Sequence, residues 1–131
     1  MSNYGFGVTV PGSFDEVIEK TTAALATEGF GVLTTIDVKA TLKKKLDKDM
    51  RPYTILGACN PVLASQAIEA EPDIGLLLPC NVLVREEADG SVSVNFMDPK
   101  AVLGLVDRDD IVPLATEVRG KLEKVAEQLK G

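Results

Sequence analysis

The chain contains no histidine. That absence excludes Ser-His-Asp and Cys-His nucleophile systems, histidine acid–base catalysis and every histidine-containing zinc site. Any general base must then be a carboxylate, a lysine or water. Cysteine is nearly absent too, with two residues, Cys59 and Cys80, in 131. Excess positive charge is also missing. The net charge of −6 argues against nucleic acid as a partner, because neutralising phosphates needs a basic surface. No apolar run approaches the roughly 20 residues a membrane helix requires. The first residues, Met1-Ser2-Asn3-Tyr4-Gly5, lack the basic and apolar regions of a signal peptide. The expectation is a cytoplasmic protein without membrane attachment, in which two cysteines stay reduced unless their role is redox.

What is present fits one domain over residues 1–131, with 45% apolar and 26% charged residues, an ordinary balance for a globular chain. Tyr4 to Val10 alternates as a strand, and Pro11-Gly12 turns it. Ser13 and Glu16 form a capping box that opens a helix to about Glu28, burying Phe14, Val17, Ile18, Thr21, Ala24 and Leu25. Gly29 supplies the left-handed position that ends it. Strands are expected over 31–38 and 53–58, joined by a short basic helix over 40–46. Lys39, Lys43, Lys44, Lys45, Lys48 and Arg51 are read there as a solvated face, with local anion binding as the alternative.

Asn60-Pro61 joins a favoured cap to a proline at the first helical position, so a helix runs to about Ala70. Residues 73–80 are ambiguous between a helical turn capped by Asp73 and an extended segment. Strands 81–86 and 91–97 form a hairpin around Ala88-Asp89-Gly90. Asp98-Pro99 opens a brief helical turn. Asp110 is expected to cap a last helix with the stripe Ile111, Leu114, Ala115, Val118, Leu122, Val125 and Leu129. This order predicts an α+β fold, β-α-β(4)-α, with a largely antiparallel sheet and two long helices on one face. The face left open is solvated or used for association, and a homodimer is the natural cover.

The candidate site lies at two echoing segments, Leu56-Gly57-Ala58-Cys59-Asn60 and Leu77-Leu78-Pro79-Cys80-Asn81. Cys59 precedes a helix start, where amides and the positive dipole end favour thiolate over thiol. A buried apolar role is equally consistent with its type. Cys80 comes directly after Pro79, whose ring fixes the local backbone and so aims the thiol. Asn60 and Asn81 are caps or turn residues by default and ligand-binding groups in the sharper view. Lys45, with Arg51 as a second choice, would supply positive charge to a thiolate. Three chemistries stay open: a disulfide, a metal site and thiolate attack or sulfur transfer. A metal site would need ligands from two chains, or from Asp37, Glu69 or Glu86. In the site so assembled Cys59 is the nucleophile or first ligand and Cys80 the resolving thiol or second ligand. Asn60, Asn81 and Lys45 bind the substrate, and the cofactor stays unknown.

The segments 29–38, 42–46, 53–61 and 76–82, with the two Cys-Asn pairs as their most specific parts, resemble the prokaryotic domain-of-unknown-function family 302. The resemblance extends from Tyr4 into the C-terminal helix. It implies a TATA-binding-protein-like fold, usually dimeric, without DNA binding. It brings no established activity. Family members sometimes occur fused to or near sulfur-handling proteins, which supports thiol chemistry, and a small-molecule or sulfur-containing ligand is the expected partner. Non-catalytic ligand binding, protein binding and a metal-binding dimer remain the alternatives.

Overall fold

The structure, a computed structural model, describes residues 3–130. Met1 and Ser2, part of the stretch read for a leader, lie outside them. Five strands form one sheet: β1 (Gly5–Val10), β2 (Gly31–Asp37), β3 (Tyr53–Cys59), β4 (Cys80–Glu86) and β5 (Val92–Met97). Their spatial order is β1-β5-β4-β3-β2, and every neighbouring pair is antiparallel. The two longest helices, α1 (Phe14–Thr27) and α5 (Val112–Leu129), pack on one face. The expected β-α-β(4)-α fold is therefore the observed one. Helix α1 crosses the whole sheet, since β1 and β2 occupy opposite edges. Shorter helices α2 (Val38–Leu46), α3 (Pro61–Ala70) and α4 (Pro99–Leu103) fill the connections.

Local chemistry sets the boundaries. Ser13 and Glu16 exchange the two hydrogen bonds of a capping box. At the other end of α1, Phe30 N–H donates to the Leu25 carbonyl and Gly29 N–H to that of Ala26. This Schellman closure needs the left-handed φ of +83° that Gly29 adopts. Helix α5 departs from expectation at its start. Asp110 does not cap it, because Arg108 takes both carboxylate oxygens, at 3.0 and 2.8 Å. The helix begins at Val112 from an Ile111 cap that makes no side-chain bond. The ambiguous stretch resolves as a 3-10 helix, Pro72–Leu77, followed by a cis Leu78–Pro79 peptide and β4. Asp73 lies inside that turn rather than capping it, since Glu71 holds the cap position.

The alternation of each strand decides the core. Leu56, Ala58, Val82, Val84, Val92, Val94 and Phe96 face the helices and are buried with Val17, Leu25, Leu122 and Val125. A second, smaller core lies beyond the sheet, where Ala67, Ile74, Leu103, Ile111 and Ala115 meet. Arg119 of α5 ties helix layer to sheet. Its Nη1 donates to Asp98 Oδ2 at 2.6 Å, and its guanidinium lies 4.2 Å over the Phe6 ring. The basic helix α2 has no buried residue. Lys43 there pairs with Asp47 at 2.9 Å and Asp49 at 3.1 Å, exposed contacts of little energetic weight.

Candidate functional site

Strand β3 ends at Cys59, and Asn60 turns the chain into α3. Asn60 is extended, and its Oδ1 accepts from the Leu63 N–H at 3.3 Å. Its Nδ2 donates to the Glu28 carbonyl at the end of α1, also at 3.3 Å. One side chain thus caps α3 and pins it to the α1–β2 corner. Gly29 is part of that corner, because a Cβ there would come within 3.0 Å of Asn60 Nδ2. The helix start is largely consumed by its own capping. Pro61 has no N–H, Leu63 donates to Oδ1, and Ala64 donates to the Asn60 carbonyl at 2.9 Å. The amides expected to favour a Cys59 thiolate are therefore mostly engaged elsewhere.

Register brings the second cysteine alongside. Cys80 pairs with Ala58, the neighbour of Cys59, while Cys59 pairs with Gly31. Both thiols are free. Cys59 is half-buried, whereas Cys80 is 7% exposed. Burial pushes the Cys80 thiol up from an ordinary 9.0 to about 11, and the charge of a Cys59 thiolate adds to the rise. At pH 7 only about one Cys80 in ten thousand is then thiolate. Cys80 is a neutral S–H, which makes it a poor resolving nucleophile or anionic ligand.

Both cysteines are among the residues that line one pocket of about 350 Å³ where the end of the sheet meets α3 and α5. Its other walls include Phe30, Leu63, Ala67, Leu114 and Val118, and among the described residues no charged side chain lines it. Close approach under Pro79 depends on Gly57. A Cβ there would overlap Thr34 Oγ1 and come within 3.0 Å of Pro79 Cγ.

The other expected site residues lie apart. Asn81 comes directly after Cys80, so the pleat turns it to the opposite face. It is exposed there, in a groove with Tyr53, Leu83, Arg85 and Asn95. Lys45 is exposed on α2, which continues from the Asp37 end of β2, while Cys59 sits at the Gly31 end. Strand rise separates those ends by roughly 20 Å, so neither Lys45 nor Arg51, which precedes β3, brings charge to the thiols. Asp37, a proposed metal ligand, instead caps α2 through the Ala40 N–H at 2.9 Å. Among the described residues no three His, Cys, Asp or Glu side chains cluster as a metal site. Cys59, Cys80 and Asn60 are brought together. The pocket walls carry no signal of their own in the sequence, where Leu63, Leu114 and Val118 show only the periodicity of core positions.

Among the described residues no helix is long and apolar enough to cross a membrane. An uncharacterized protein of Aquifex aeolicus (strain VF5) is 33% identical over 95 residues, 63% of this chain. The match spans 65% of that relative, less than two thirds of its length. A crystal structure of an uncharacterized conserved DUF302 protein from Bacillus stearothermophilus has the same fold. Its TM-score is 0.91 at 26% identity, over 98% of this chain and 99% of that one. The model of the domain of unknown function DUF302 matches residues 6–129, the sheet apart from Gly5 and both long helices, and the chain belongs to that family.

Proposed function

We propose that the chain binds a small, uncharged, largely apolar molecule in the pocket shared by Cys59 and Cys80. The observation that supports this is the lining: about 350 Å³ of space with two cysteines, largely apolar walls and, among the described residues, no charged side chain. The size falls in the range of small-molecule sites. An ion would lose its hydration there without a partner, whereas an apolar molecule gains about 25 cal/mol per Å² of surface removed from water. Cys59, half-buried, is the sulfur that meets the ligand, and Asn60 frames it. A reducing cytoplasm suits this role, because both thiols stay free.

Titration with the neutral fluorophore 1-aminoanthracene tests the reading. Saturable binding to the wild-type chain is expected, weakened at least tenfold in Ala67→Phe and in Ala64→Phe, whose rings occupy the space. No saturable binding to the wild type, or equal binding to both filled variants, rejects it.

A second reading concerns the open sheet face. Ile36, 48% exposed, lies in register with Ile55 and Leu83 across β2, β3 and β4. This apolar row, uncovered in one chain, supports a homodimer joined through the sheets. Sedimentation equilibrium is expected to give a dimer for the wild type and a monomer for Leu83→Lys. A wild-type monomer, or a variant that stays dimeric, rejects that arrangement.

A further inference from the structure

We propose that Cys59 captures uncharged apolar electrophiles of the α,β-unsaturated carbonyl class as thioether adducts, with the Cys80 S–H donating to the carbonyl oxygen. This rests on the binding role proposed for the pocket and specifies its ligand class.

Three features converge on it. The lining selects for apolar, uncharged molecules. Cys59, half-buried at the end of β3, is one of the residues of that lining, and sulfur is the soft nucleophile suited to a polarised alkene. The one other polar hydrogen from a cysteine, on Cys80, is more than nine-tenths buried. Burial and the Cys59 charge act on it, and no hydrogen bond from the described residues contributes. A buried S–H left unpaired at a pocket wall is matched by a ligand acceptor, and a carbonyl oxygen is one.

The chemistry closes without a co-reactant. The Cys59 sulfur forms a bond to the β-carbon, and the alkene π pair shifts toward the carbonyl as an enolate. The proton lost from the Cys59 thiol, carried by water, ends on the α-carbon. Nothing is oxidised and no group leaves. Among the described residues no base or cation lines the pocket, so the gain comes from holding the alkene beside the sulfur.

The test compares 1-octen-3-one with acrylamide, each referenced to its rate with glutathione and followed by intact mass and peptide mapping. Expected is a single adduct on Cys59, with octenone favoured over acrylamide at least tenfold more than glutathione favours it. That preference is expected to vanish in urea-unfolded protein and in Ala64→Phe. In Cys80→Ala the octenone rate is expected to fall severalfold while the acrylamide rate holds. A preference equal to that of glutathione, or an adduct on Cys80, overturns the capture. If 1-aminoanthracene still binds in that case, the binding reading survives; if it does not, both fail.

Discussion

Phe96→Ala is expected to lower the free energy of unfolding by about 3–5 kcal/mol, the usual cost of emptying a buried aromatic site. Phe96 is 1% exposed in β5, between Phe6 of β1 and Val82 of β4. Its ring stacks on Phe6 with centroids 5.3 Å apart and planes 20° from parallel. The guanidinium of Arg119 lies over the Phe6 ring in turn, so the deletion also loosens the contact between α5 and the sheet edge. For a domain of this size that loss corresponds to a fall in Tm of roughly 10 °C or more. Phe96→Leu, which keeps most of the volume, is expected to cost less than half as much. Urea denaturation of the three proteins checks it. A loss under about 1.5 kcal/mol for Phe96→Ala would mean that the site collapses around the gap.

Alkaline pH is expected to destabilise the fold through Cys80. Its thiol is raised in the folded chain to about 11 from an ordinary 9.0, first by burial and then by Cys59. The sign comes from proton binding. Below pH 9 the thiol is protonated in both states and the contribution is complete. Between pH 9 and 11 the unfolded chain loses its proton while the folded one keeps it, so stability falls as pH rises. The slope is about 1.4 kcal/mol per pH unit, and the full loss across the window is roughly 3 kcal/mol. Lysines and tyrosines titrate in the same region, so the informative quantity is the difference between wild type and Cys80→Ala. The variant is expected to lack this part of the slope. Identical slopes for the two proteins would show that Cys80 does not sit in a desolvated wall.

Short-range chemistry made much of the fold legible in the residues. The capping box at Ser13 and Glu16, the glycine closure at Gly29 and the Asn60-Pro61 helix start each depend on groups within a few positions, and each forms as expected. The alternation of Val92, Val94 and Phe96 shows which side of β5 is buried. One expectation failed where a competing local partner intervened: Arg108 drew Asp110 away from the helix it was to cap. The stretch left open between a turn capped by Asp73 and an extended segment is a 3-10 turn with Glu71 at its cap position.

The site was legible only as a place. Two Cys-Asn pairs marked where β3 ends and β4 begins, and the sheet register sets those ends side by side. The four polar companions expected around the thiols divided by geometry. Asn60 stayed with them; Asn81 was turned away by the pleat, and Lys45 and Arg51 lie at the far end of the sheet.

The sequence by itself determined the α+β order of elements, the exclusion of histidine chemistry and the acidic surface, because composition and local hydrogen bonding act along the chain. Only the tertiary structure decided that the two cysteines line one largely apolar pocket and that the Cys80 thiol is held neutral. Those properties come from α3, α5 and the loop at Pro79 converging on one end of the sheet. Desolvation is set by what packs around a group in space, and residues distant in sequence supply most of that packing.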